Sequence, residues 1–216
     1  MRIHEGQPVI SDGASLAEAS VVLLLVHGRG GSGEDMVALG REISPPDLKV
    51  ARLAPQAVGG TWYPQRFLAP LALNEPHLTS ALGVLAETVE ELIARGISRD
   101  RVILAGFSQG ACLALEFAAR HPHRYGGVIG LSGALIGPPG TARDVVGSLQ
   151  GTPVFLGCSD VDSHIPIETV KQSADFFRKI HADVLEQIYP GMAHTVNADE
   201  IAVASNMVRR AVEREK

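Results

Sequence analysis

The chain has 216 residues, 45% of them hydrophobic and 20% charged, with 23 Gly and 13 Pro. That length suits one domain over residues 1–216 with an ample core, and the composition excludes a disordered, collagen-like or coiled-coil chain. Net charge is −5, from 19 Lys+Arg against 24 Asp+Glu, and no basic run forms, which argues against nucleic acid as a partner.

Met1-Arg2-Ile3-His4-Glu5-Gly6 lacks the apolar region of a signal peptide, and Met1 to Gly13 hold at most one short strand. Val21 to Val26 is a continuous apolar, β-branched run, as a strand covered on both faces requires, and it is too short to span a bilayer. Glu34 to Ile43 follows with Met36, Val37, Leu39 and Ile43 at helical spacing, then a strand over Leu48 to Leu53. Ala54 to His77 shows no clear period and is rich in Pro and large apolar groups; so long a loop is usually functional. Leu78 to Arg95 is the clearest helix, with one stripe through Leu78, Leu82, Leu85, Val89 and Leu92. A strand over Arg101 to Phe107 precedes a helix over Gln109 to Arg120 that stops near His121-Pro122. Tyr125 to Leu131 and Pro153 to Cys158 read as strands, Ile167 to Ile180 as a helix, Val184 to Tyr189 as a strand and Ala198 to Arg214 as a final amphipathic helix. This alternation predicts an α/β fold with a mostly parallel sheet, helices on both faces and the ligand beyond the carboxyl ends of the strands. The two cysteines, Cys112 and Cys158, lie in apolar surroundings without metal-ligand spacing. They read as buried thiols of a reducing compartment, so the expectation is a cytoplasmic protein with no stable membrane association.

Two glycine motifs compete for the functional reading. Gly28-Arg29-Gly30-Gly31-Ser32-Gly33 fits G-x-G-x-x-G between a strand and a helix, as a dinucleotide site demands. Gly106-Phe107-Ser108-Gln109-Gly110 fits G-x-S-x-G in the same setting, as a nucleophile elbow demands. The dinucleotide reading, which would make the protein an oxidoreductase, needs an acid at the end of the second strand. Leu48 to Ala54 contains none, although Arg52 could meet a 2′-phosphate. The elbow needs small neighbours, an acid and a histidine after later strands, in the order Ser…Asp…His. Gly106 and Gly110 flank Ser108; Asp160 and Asp162 follow the strand ending at Cys158; His194 follows the strand ending at Tyr189. The first glycine motif then has a second use. An oxyanion hole needs two backbone N–H groups, and Gln109 and Arg29 are placed to supply them, with His27 as a structural anchor of the glycine loop. Ser108 is thus the expected nucleophile, His194 the base and an aspartate its orienting partner.

At these residues the sequence resembles the carboxylesterase/lysophospholipase-like branch of the α/β-hydrolases, which includes acyl-protein thioesterases. The resemblance rests on His27-Gly28-Arg29-Gly30-Gly31, Gly106-Phe107-Ser108-Gln109-Gly110, Asp162-Ser163-His164-Ile165-Pro166 and Gly191-Met192-Ala193-His194, in the family's order along nearly the whole chain. It implies a compact α/β-hydrolase fold without a large lid domain, and a serine esterase or thioesterase with no cofactor or metal. It also selects Asp162 over Asp160 as the triad acid, with Ile165 in the place of the family's valine. Trp62 and Tyr63 resemble the family's Trp-containing loop near the active site. Candidate substrate contacts are therefore Trp62, Tyr63, Phe67, Ile165 and Met192. Tyr63, Phe67, Leu68, Leu71 and Leu73 offer an apolar wall suited to a short or medium acyl chain. The expected partner is a small-molecule ester or thioester, and an exposed edge strand would leave a homo-oligomer open. A ligand-binding module that keeps the fold without turnover is the other alternative.

Overall fold

In the computed structural model, which describes residues 2–143 and 145–213, the alternation is realised nearly element by element. β1 (Val9–Gly13) and β2 (Val21–Val26) precede α1 (Gly33–Ile43), and β3 (Val50–Pro55) leads through an irregular segment to α2 (His77–Ala94). β4 (Val102–Phe107), α3 (Gln109–Arg120), β5 (Gly127–Leu131) and β6 (Pro153–Ser159) follow, then α4 (Ile167–Lys179), β7 (Asp183–Tyr189) and α5 (Ala198–Glu213). Met1 and the expected helix end at Arg214 lie outside the described residues.

One sheet runs in the order β1-β3-β2-β4-β5-β6-β7. β1 pairs antiparallel with β3; the remaining neighbours are parallel. Side chains alternate between faces along each strand. Val22, Leu24 and Val26 of β2 pack on one face with Leu85 and Leu92 of α2, Leu113 and Phe117 of α3, and Val170 and Phe177 of α4. Val21, Leu23 and Leu25 pack on the other with Met36 and Val37 of α1 and Ala204 and Val208 of α5. Both faces are covered, which is why the central strands carry unbroken apolar runs instead of alternation.

Two strand starts differ from the sequence expectation by two residues. Leu48 belongs to a turn in which its N–H donates to the Pro45 carbonyl, so β3 starts at Val50. Tyr125 precedes β5 and fastens the approach to it: its N–H donates to Thr152 Oγ1 and its hydroxyl to the His121 carbonyl. The segment between β3 and α2 contains only two single-turn 3₁₀ elements, Val58–Gly60 and Leu71–Leu73. Among the described residues no helix is long and apolar enough to cross a membrane. Because six strands run parallel, the carboxyl ends of β2, β4, β6 and β7 open on one edge, and the expected site segments all follow those ends.

Candidate active site

β4 ends at Phe107 and α3 begins at Gln109, which leaves one residue to reverse the chain. Ser108 does so at φ 54°, ψ −118°, a conformation that costs a side-chain-bearing residue about 1–3 kcal/mol. Its N–H donates to the Leu131 carbonyl on β5, and its carbonyl accepts from Cys112 N–H in α3. The turn closes only because two neighbours lack a β-carbon. One on Gly106 would collide with the Gly110 backbone, and one on Gly110 with the Val26 carbonyl oxygen of β2.

The turns after β6 and β7 bring the remaining groups to this serine. His194 Nε2 lies 2.8 Å from Ser108 Oγ, and His194 Nδ1 lies 2.7 Å from Asp162 Oδ2. The imidazole sits between the Phe107 ring, 5.0 Å away centroid to centroid, and the His164 ring at 4.6 Å. Asp162 is out of solvent, and its Oδ1 accepts the N–H groups of His164 and Ile165 at 2.8 and 3.0 Å. Burial pushes this carboxyl up, but the hydrogen bonds from His194 and the two amides outweigh it and hold it below the usual carboxylate value. A carboxylate therefore faces the imidazole N–H, the arrangement that leaves Nε2 free to take a proton from a hydroxyl. Asp160 acts on the backbone instead, where its Oδ1 accepts the Gly191 N–H at 2.8 Å and braces the turn that carries His194.

The glycine loop after β2 lies alongside. His27 is buried; its Nδ1 donates to the Gly28 carbonyl and its Nε2 accepts the Ala57 N–H at 3.0 Å. Burial lowers its pKa, in keeping with a neutral ring that accepts on one side. Gly30 N–H donates to Gly60 and Gly31 N–H to Gly28, while the Arg29 N–H has no acceptor among the described residues. Gln109 opens α3, and the first N–H groups of a helix have no intrahelical acceptor. The dinucleotide reading loses its footing here. The segment from Ala57 to Gln65 packs against the glycine loop, and Arg52 is engaged with Asp12 and Ser44.

A cleft of about 430 Å³ opens over Ser108, lined by Tyr63, Phe67, Ile165 and Phe107 among apolar groups and by Gly28, Arg29, Gln109 and His194 around the serine. Two expected substrate contacts are elsewhere. Trp62 is fully buried, with its indole N–H donating to the His27 carbonyl, so it plugs the core beneath the loop. Met192 turns from the cleft, its sulfur accepting from Asn197 Nδ2. Of the apolar wall only Tyr63 and Phe67 face the cleft; Leu68 lines a separate depression and Leu73 is 59% exposed.

The structure also adds side-chain contacts that sequence reasoning passed over, and one residue, Glu200. The Gln109 side chain clamps the loop above it: Oε1 accepts Trp62 N–H and Nε2 donates to the Tyr63 carbonyl, both at 2.9 Å. The Arg29 guanidinium donates to the carbonyls of Tyr63, Pro64 and Gln65. Beneath Asp162 lies the Cys158 thiol, 3.8 Å from Oδ2, its pKa pushed up to about 12 by burial. Glu200 is fully buried; its Oε2 accepts the Asn197 N–H while Oε1 has no partner among the described residues. Burial pushes this carboxyl up to about 7. Asn-x-x-Glu ahead of an amphipathic helix is a capping-box signal and could have flagged it.

Comparison with known proteins identifies the family. Residues 6–211 match the model of the phospholipase/carboxylesterase family. Acyl-protein thioesterase 1 of Kluyveromyces lactis is 32% identical over 201 residues, covering 85% of this chain and 88% of that protein. The match to acyl-protein thioesterase 1 of Saccharomyces cerevisiae is shorter, 30% over 139 residues, spanning 62% of this chain and 60% of that protein. Among solved structures, the phospholipase/carboxylesterase of Dyadobacter fermentans superposes with a TM-score of 0.89 at 37% identity, covering 94% of this chain and 97% of its own. On sequence, fold and the arrangement of its strand ends, the chain belongs to the phospholipase/carboxylesterase family of α/β-hydrolases, enzymes that act on ester or thioester bonds.

Proposed function

We propose that this protein is a serine hydrolase that cleaves carboxylic esters or thioesters of small molecules through an acyl-enzyme, with Ser108, His194 and Asp162 as its catalytic triad. The supporting observation is the unbroken relay from Ser108 Oγ to His194 to Asp162, at 2.8 and 2.7 Å. Ser108 Oγ attacks the carbonyl carbon while His194 Nε2 takes its proton. Asp162 holds the Nδ1–H tautomer and stabilises the imidazolium. The Arg29 and Gln109 N–H groups receive the developing oxyanion. Collapse of the tetrahedral intermediate expels the alcohol or thiol, which leaves with the proton from His194. Water, deprotonated by the same imidazole, then releases the acid and frees Ser108. No step calls for a cofactor or metal. Tyr63, Phe67 and Ile165 offer the acyl group an apolar wall, and the cleft's volume suits a short or medium chain. All these groups hang from one sheet, which we read as a single domain.

Labelling with a fluorophosphonate followed by peptide mass spectrometry tests the reading. Stoichiometric modification of Ser108, together with a loss on the order of 10⁶ in kcat for Ser108→Ala, is the expected result. An unmodified Ser108 in folded protein would instead favour a ligand-binding module without turnover.

A further inference from the structure

The cleft carries charge that the triad does not use. Arg29 and Arg66 both line it, and among the described residues no Asp or Glu does. Arg29 is fixed by its three hydrogen bonds to the carbonyls of Tyr63, Pro64 and Gln65. Those bonds orient the guanidinium without neutralising it, because a carbonyl is a dipole and not an anion. Among the described residues the Arg66 side chain donates only to the His164 carbonyl, at 3.3 Å. Among the described residues neither cation has a carboxylate within ion-pairing distance, whereas Arg41, Arg52, Arg143 and Arg209 each sit on one. The carboxylate behind the cleft, Asp162, is out of solvent and committed to His194. Two arginines without a carboxylate partner among the described residues thus line one cleft in a chain whose net charge is −5.

We infer that the preferred substrates are small esters or thioesters bearing an oxyanion, carboxylate or phosphate, away from the scissile bond, and that Arg66 with Arg29 receives it. The Arg66 guanidinium presents a planar fork of donors that matches both groups, and charge-assisted pairs of this kind are stronger than neutral hydrogen bonds, while Arg29, most of whose Nη donors are taken by carbonyls, adds chiefly its charge. Cations lining a cleft also draw an anionic ligand towards it. The inference rests on the serine hydrolase reading and narrows it.

The test compares isosteric charged and neutral esters by kcat/KM, after subtraction of the Ser108→Ala background. One pair is the 4-nitrophenyl half-ester of glutarate against its glutaramate, which places the charge on the acyl side. A second is 4-acetoxybenzoate against 4-acetoxybenzamide, with the charge on the leaving group. A third, 4-acetoxyphenyl phosphate against the neutral, likewise tetrahedral and O-linked 4-acetoxyphenyl methanesulfonate, replaces carboxylate by phosphate. At least one pair should favour the anion by about tenfold. That preference should shrink as salt rises from 0.02 to 0.5 M, taken as roughly a 20 Å and a 4 Å screening length. Arg66→Gln should bring the ratio most of the way to one, with circular dichroism reporting a retained fold. Ratios at or below one in all three pairs, with the neutral esters still turned over, would overturn the inference and leave the hydrolase intact. A ratio unmoved by both salt and Arg66→Gln would overturn it as well. No Ser108-dependent turnover of any ester would sink the hydrolase reading, and this one with it.

Discussion

Ser108 holds its positive φ because every alternative is blocked around it. Its N–H is tied to Leu131, its carbonyl starts α3, and Gly106 and Gly110 let the ends of β4 and β2 close on the first turn of α3 at its flanks. Gly110→Ala should therefore fail twice, by destabilising the fold by about 3 kcal/mol or more and by displacing the hydroxyl from His194. Urea unfolding and ester turnover measure the two losses separately. The two aspartates after β6 should separate just as cleanly. Asp162→Asn should cost roughly 10⁴ in kcat by leaving the wrong imidazole tautomer, whereas Asp160→Asn, which keeps an acceptor for Gly191 N–H, should cost less than about tenfold. The glycines and the serine were readable in the sequence because steric demand ties them to fixed offsets from one another. Trp62 and Met192 were not, since nothing in a loop's residue types says which way a side chain turns. The indole found a buried carbonyl at His27, and the thioether found the Asn197 amide.

Among the elements, α5 does more than cover the sheet. Asn197 and Glu200 cap its start reciprocally, Asn197 Oδ1 accepting Glu200 N–H and Glu200 Oε2 accepting Asn197 N–H, both at 2.9 Å. This fixes the far end of the turn that presents His194. Because Glu200 keeps its proton up to about pH 7 in the folded chain and releases it near 4.5 when unfolded, the folded state binds the extra proton between those values. Stability should then fall as pH rises from about 4.5 to 7, by roughly 3 kcal/mol from this group, and level off above. Glu200→Gln keeps the cap acceptor and removes the titration, so urea midpoints of the variant should lack that component of the slope. The helices and buried strands were legible because a 3.6-residue stripe or an unbroken apolar run has few other physical readings. Strand starts were less so: Leu48 is apolar and β-compatible, yet it serves a turn.

At the scale of the molecule, a sheet covered on both faces makes a stiff frame from which loops reach inward. The long segment after β5 is secured to that frame by a buried cluster in which Glu116 of α3 accepts from Arg143, Arg120 and the Ile136 N–H. Arg143→Met should cost about 3 kcal/mol in urea unfolding, chiefly because a buried carboxylate loses a counter-ion. Such long-range clasps, between residues 27 apart here, were not legible, because charge in a sequence carries no mark of its partner. The overall topology was legible, because strand–helix alternation admits few unknotted windings. The relay at the sheet's edge has its own consequence in time. Ser108 and His194 are 86 residues apart, so a ribosome working from the amino end finishes the hydroxyl roughly 4–17 seconds before it supplies the imidazole. Until then the serine of the proposed triad is as inert as any other, and a chain cut short during synthesis carries that hydroxyl without the imidazole meant to awaken it.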